Sequence, residues 1–223
     1  MNFIEINSGR EVVYNFLSRS LIDCPDKQYL KMFEELCTYL VEIGNNKNVD
    51  HIKVKKIFLN LKREINTNID KNNIIIRLSK EYTNLFCLGS YSIAPYESVY
   101  LSVSRILKQK PWEEVSRVFN ENKFFTKKNA NLPEDHIAHE LLFMSFLSYK
   151  AKEASKKSDI DELEVIYYKQ ISFLEKHLFR WTGDLCNDIL RKILYGDSFY
   201  AGIASFIKGY LDMDYGFLKK VVV

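Results

Sequence analysis

Glycine and proline are scarce: eight glycines and four prolines are spread over 223 residues. The chain contains no G-x-x-x-x-G-K-[ST], G-x-G-x-x-G or G-x-S-x-G, so phosphate-cradling loops and a nucleophile elbow are excluded. Cysteine is scarce too. Cys24, Cys37, Cys87 and Cys186 form no C-x-x-C pair, which removes a zinc knuckle and leaves reduced, small apolar thiols as the expectation. Long apolar runs are missing: the longest uncharged stretch, Tyr82 to Tyr96, is interrupted by Asn84, Gly89, Ser90, Ser92 and Pro95, short of the roughly 20 apolar residues that span a bilayer. The opening MNFIEINSGREVV carries Glu5 and Glu11 and lacks the apolar core of a secretory signal. A cytoplasmic protein without stable membrane insertion is expected. Nor is there an excess of one charge. Lys plus Arg number 32 against 29 Asp plus Glu, which gives no nucleic-acid footprint and predicts no nucleic-acid partner.

What the chain has is helix-spaced apolar residues, in a composition 47% hydrophobic and 14% aromatic. Strict alternation over a strand length is hard to find. The fold class expected is all-α, one helical bundle-like domain spanning 1–223 with about nine to eleven helices. Ser8 is placed to cap a helix carrying Val12, Val13, Phe16 and Leu17, and Asp26, after Pro25, to start one carrying Leu30, Phe33, Leu36, Leu40 and Ile43, stopped by Gly44 and Asn45. A third runs from about Val49 to Ile65, its Lys53, Lys56, Asn60 and Arg63 opposite Val54, Ile57, Phe58, Leu61 and Ile65. That basic side reads as a solvated face; a DNA-reading helix is the lesser alternative. A helix ending near Phe86, the loop CLGSYSIAP, the stretch YESVYLSVSRIL and a short helix opened by Pro111 and Trp112 follow. Further helices are expected over about 133–152, 161–179, 182–194 and 199–211. The polar NENKFFTKKNANLP predicts a hinge near 122–132 between lobes of about 1–121 and 133–223.

The segment PEDHIAHELLFM, 133–144, concentrates acids and histidines at the head of an apolar run. Asn131 and Glu134 with Pro133 between them read as a capping box with proline in the first turn, which puts Glu134 and Asp135 at the positive end of the helix dipole. The pairs Asp135/His139 and His136/Glu140 are each four apart, in reach for carboxylate–imidazole contacts. The rival use of Asp135, His136, His139 and Glu140 is a helical metal-dependent enzyme. Their order matches neither H-E-x-x-H nor H-x-x-E-H, and only His51 and His177 remain as further imidazoles. No catalytic residue, metal site or cofactor is assigned. Between Tyr82 and Trp112 lie Phe86, Tyr91, Tyr96 and Tyr100, aromatics whose polar tips suit a half-exposed groove as well as a core.

Three stretches together resemble the TorD/DmsD/NarJ group of redox-enzyme maturation chaperones. Tyr82-Thr83-Asn84-Leu85-Phe86 with Pro95-Tyr96-Glu97-Ser98-Val99-Tyr100 is similar to an aromatic-x-x-L-F element followed by proline and E-S-V-Y. Pro133-Glu134-Asp135-His136, leading into Glu140-Leu141-Leu142-Phe143-Met144, resembles P-x-D-H and E-L-x-F-M, and Phe173 to Trp181 resembles F-x-x-x-H-L-x-x-W. Leu132 stands where many members carry an acid. The resemblance implies a TorD-like helical fold and a non-enzymatic cytoplasmic chaperone, a monomer or helix-swapped dimer. It also implies the partners: the immature catalytic subunit of a molybdopterin-dependent oxidoreductase, and its twin-arginine leader. On this reading the client-binding residues are Tyr82, Leu85, Phe86, Pro95, Tyr96, Glu97, Tyr100, Glu134, Asp135, His136, Glu140 and Trp181, with the aromatics taking the apolar segment and the acids the arginine pair.

Overall fold

The computed structural model describes residues 2–43, 51–67, 70–89, 91–126, 132–193 and 198–222. Among these residues the regular structure is helical, with a lone backbone bridge between Tyr96 and His136 and no strand. The helices are α1 (Phe3–Ile22), α2 (Lys27–Ile43), α3 (His51–Thr67), α4 (Lys71–Phe86), α5 (Glu97–Leu101), α6 (Lys110–Glu121), α7 (Ile137–Lys156), α8 (Ile160–Phe173), a π-helical turn (Leu174–Leu178), α9 (Phe179–Lys192) and α10 (Phe199–Val221).

Local chemistry explains most of the starts. Asp26 Oδ1 accepts from Tyr29 N at 2.7 Å ahead of α2, as its position after Pro25 predicts. Asp70 caps α4 through Asn72 N, and Asp159 caps α8 through Glu162 N. Ser8 is not a cap: α1 already begins at Phe3, with Asn2 Oδ1 accepting from Glu5 N, and Ser8 lies inside it. The expected stop at Gly44 and Asn45 lies outside the described residues. In α3 the apolar side read from sequence is the buried one, including Val54, Ile57, Phe58, Leu61 and Ile65.

The chain forms two compact units, Met1–Ser18 with Pro95–Thr182 and Tyr215–Val223, and Arg19–Ala94 with Gly183–Asp214. The first is built on α7, buried on nearly every side; such a helix is a core element rather than a surface one. The expected lobe boundary at 122–132 falls within this unit's 95–182 span. Residues 127–131 are outside the described set. Residues from both sides of that boundary share one aromatic core: Phe119 and Phe124 lie 4.9 and 5.3 Å from Phe143, and Phe143 lies 4.8 Å from Phe173. In the second unit Phe33, Phe58, Phe199 and Phe206 form a ring cluster with centroids 5.5–5.9 Å apart.

The stretch YESVYLSVSRIL supplies the five-residue α5, and Arg105 and Lys108 beyond it take positive φ. One boundary differs from expectation. The break expected between Phe179 and Thr182 does not occur, because α8 passes through the π-helical turn directly into α9. No proline or glycine interrupts 160–182 to stop it.

A Cβ on Gly202, in α10, would meet Ile57 Cγ2 at 3.0 Å and Phe58 Cε1 at 3.1 Å. Gly202→Val is therefore expected to destabilise by about 1–3 kcal/mol through overpacking, read as a lower urea midpoint at unchanged m; an unchanged midpoint would contradict this packing.

Candidate functional site

The first unit brings two helix beginnings face to face. The bridge between Tyr96 and His136 places the PYES and EDHI segments antiparallel, with Glu97 N donating to Asp135 O and Ile137 N to Pro95 O, both at 2.9 Å. Each segment then caps the other's helix or its own. Asp135 Oδ2 accepts from Ser98 N at 2.8 Å, so an acid remote in sequence serves the start of α5. His136 is the N-cap of α7, its Nδ1 accepting from Ala138 N at 3.1 Å. The remaining amides turn back on the caps: Val99 and Tyr100 donate to Tyr96 O, and His139 and Glu140 to His136 O. All the first-turn donors that a helix leaves unsatisfied are thus partnered in both helices.

This arrangement revises the capping box. Asn131 is outside the described residues, and α7 begins at Ile137, so Glu134 and Asp135 precede the helix rather than occupy its first turn. Glu134 accepts instead from Trp112 Nε1. The pairs Asp135/His139 and His136/Glu140 do not form either. His139 Nδ1 lies 3.0 Å from Pro133 O, and Glu140 Oε2 accepts from Trp181 Nε1 at 3.2 Å. A metal centre on Asp135, His136, His139 and Glu140 has no geometric basis, since the four serve separate partners. Among the described residues no group of three or more His, Cys, Asp or Glu side chains is arranged to hold a metal ion.

Behind the caps sits a buried acidic cluster. Glu97, Asp135 and Glu140 are all fully buried. Glu97 Oε2 accepts from His177 Nδ1 at 3.0 Å, while Arg180 approaches its Oε1 only to 3.9 Å. As bare carboxylates, Glu97 Oε1 and Glu140 Oε1 have no partner among the described residues. The two carboxyls are within hydrogen-bonding reach of each other, so a proton on one can be shared with the other. Burial, then the Glu97 charge, push the Glu140 carboxyl well above the carboxylate range. Burial raises Glu97 as well, against the bond from His177 and the Arg180 charge, so of the two carboxyls Glu140 is the one that more readily keeps a proton. Burial also raises Asp135, against the bonds it accepts from Ser98. It drives His136 down to about 3, His139 adding to the effect, so the capping imidazole is neutral as an acceptor must be.

The π-helical turn is what delivers His177. A wider turn re-aims side chains within a helix, and here His177 faces Glu97 while Phe173, 4.8 Å away, backs its ring. The same turn borders an open groove of about 1000 Å³ with α6 and α8, lined among others by Val118, Val165, Tyr168, Phe173, His177 and Arg180. Sequence reasoning did not single out this groove. The exposed apolar Val165 and Tyr168, three apart on α8, were its available signal.

Of the expected client-binding residues, Glu97, Asp135, His136, Glu140 and Trp181 converge in the buried network, with Pro95 and the half-buried Tyr96, Tyr100 and Glu134 at its edge. Tyr96 packs on His136 with ring centroids 4.9 Å apart, and Tyr100 on Trp181 at 5.5 Å. Tyr82, Leu85 and Phe86 belong to the second unit, where Tyr82 and Phe86 pack on Tyr200.

A family model described as nitrate reductase delta subunit matches residues 50–187. The chain is 27% identical over 219 residues to Chaperone protein TorD of Aliivibrio salmonicida (strain LFI1238), covering 95% of each. It is 25% identical over 221 residues to Chaperone protein TorD of Photobacterium profundum, covering 97% of each. With the protein of the same name from Aliivibrio fischeri (strain ATCC 700601 / ES114) it shares 29% over 167 residues, 71% of this chain and 75% of the relative.

The proton positions are testable through the pH dependence of stability. His136 is depressed on folding, so its contribution is present above its ordinary 6.5 and lost as pH falls toward about 3. His136→Asn puts a capping oxygen in place of Nδ1 and removes the titration. Its stability should fall less steeply than wild type over that window, the difference approaching about 1.4 kcal/mol per pH unit; parallel slopes by urea titration would contradict the assignment. Glu140 is raised, so the folded state binds the extra proton and stability is lost as pH rises above 4.5. Glu140→Gln should remain within about 1 kcal/mol of wild type at neutral pH and lack that decline. Glu97→Ala, which leaves the buried His177 Nδ1 without its hydrogen-bond partner, should cost about 1–3 kcal/mol.

Proposed function

The chain belongs to the nitrate reductase delta subunit family, the TorD/NarJ group, and on that premise we propose that it serves one molybdopterin-dependent oxidoreductase. It is a redox-enzyme maturation chaperone, not an enzyme. It binds the immature catalytic subunit, with its twin-arginine leader, in the cytoplasm, and assists cofactor loading and assembly before export. The observation that carries this reading is the match of the whole chain to relatives named as chaperones, 95% of each in one case. No helix among the described residues is long and apolar enough to cross a membrane, in keeping with that site of action.

The geometry supports a division of labour. Fully buried Glu97, Asp135 and Glu140 are closed to an incoming arginine, so they act on the client through the shape they hold. The groove along α6, α8 and the π-helical turn is the surface they support, because Glu97 fixes His177 in its wall. Its apolar Val118, Val165 and Tyr168 suit the hydrophobic part of a leader, while its charged lining is mixed, with Glu114, Glu121 and Glu175 beside Arg117, Lys169, Lys176 and Arg180.

Affinity capture of the tagged chain from anaerobically grown source cells should enrich a molybdopterin-type catalytic subunit that retains its leader. Tyr168→Asp, a change at a half-exposed position (54%), should lower capture of that client by roughly tenfold, about 1.4 kcal/mol, without lowering the melting temperature. Equal capture by the variant would move the client site away from the groove.

A further inference from the structure

The four thiols fall into two classes. Cys37 and Cys186 are fully buried, with burial pushing them up to about 11 and about 12, and Cys37 Sγ donates to Phe58 O at 3.5 Å. Cys87 is exposed and Cys24 half-buried, and both belong to the second unit. Cys87 is the C-cap of α4, its N–H bonded to Thr83 O at 2.9 Å. Ser79, Thr83 and Cys87 are spaced four apart and so form one row along α4.

The turn between α1 and α2 runs beside that row in the opposite direction. Ser79 Oγ donates to Pro25 O at 3.4 Å, and Cys24 Sγ lies 3.9 Å from Thr83 Oγ1. Cys24 Sγ thus lies against the residue one helical turn before Cys87, and Thr83 and Cys87 on that row have Cβ atoms about 5–6 Å apart. A disulfide needs Cβ atoms roughly 3.5–4.5 Å apart. Closing the bond takes a backbone shift of the turn toward Cys87, with the Cys24 rotamer then aiming its sulfur, and neither segment is held in a helix: 23–26 connects two of them and 87–89 follows the end of a third.

We propose that Cys24 and Cys87 are a thiol–disulfide modification site, which closes reversibly into an intrachain disulfide in exchange with a low-molecular-weight disulfide of the glutathione class. Exposed Cys87 is the entry point. Its thiolate attacks one sulfur of the external disulfide, forming a mixed disulfide and expelling one thiolate. The Cys24 thiolate then attacks the Cys87 sulfur and expels the second. Two protein thiols are oxidised, one external disulfide is reduced to two thiols, and the protons leave with them. Burial, then the neighbouring Cys24 and Asp23, hold the Cys87 thiol above its ordinary value. Little thiolate is present at neutral pH, so the pair follows the glutathione poise by slow exchange rather than trapping peroxide. Closure ties the α1–α2 turn to the loop after α4, where Gly89 takes φ +71.

The test is to equilibrate the full-length protein without oxygen across a series of reduced-to-oxidised glutathione ratios, alkylate, digest without reduction and map the peptides. The expected result is one Cys24–Cys87 cross-linked peptide that grows with oxidation, while free thiols fall from four to two. Cys24→Ser should stop at a Cys87–glutathione mixed disulfide, and Cys87→Ser should form no cross-link. A wild-type protein that accumulates only the Cys87 mixed disulfide, or a link between two copies, with Cys24 free at every ratio, overturns the proposal.

Discussion

Two helix beginnings that cap each other hold the site together. Neither α5 nor α7 can satisfy its first turn from its own sequence neighbourhood: Asp135 serves Ser98, Asp135 O serves Glu97 N, and Pro95 O serves Ile137 N. These bonds lie in a buried region, where an unmet backbone donor costs about 1–3 kcal/mol. Separating the PYES and EDHI segments would expose several such donors at once. Five-residue α5, too short to persist alone, exists because Asp135 and the bridge hold its start.

The same contact buries three carboxyls, and burial decides their chemistry. Two fully buried, neighbouring carboxyls disfavour a second negative charge, which holds Glu140 well above the carboxylate range while Trp181 donates to its Oε2 and His177 faces Glu97. The π-helical turn, an irregular feature inside an otherwise continuous helix, is needed to bring His177 to that position. Its outer face borders the groove along α6 and α8. Motif residues with no access to solvent thereby connect to an open groove, through the position of one imidazole.

The helical class was legible because apolar spacing of three and four runs through α2, α3 and α4, and Asp26 reads as a cap from its place after Pro25. The convergence of Glu97, Asp135, His136, Glu140, His177 and Trp181 was foreshadowed only as motifs resembling one family; their partners lie tens of residues apart, beyond any local pattern. Helical spacing suggested Asp135/His139 and His136/Glu140, but the helix begins two residues after Asp135, and tertiary partners took each side chain. The π-helical turn has no sequence punctuation, so a break was expected where the chain continues. Ser8 had the right residue type for a cap, yet Asn2 provides it one turn and a half earlier.

The central claim is that one proton resides in the Glu97–Glu140 pair at neutral pH and makes the buried site stable. Infrared difference spectroscopy with isotope-labelled glutamate reads it directly. A protonated carboxyl C=O stretch at neutral pH, absent in Glu140→Gln, is the predicted result. Finding both side chains fully ionised in the folded protein would contradict the account.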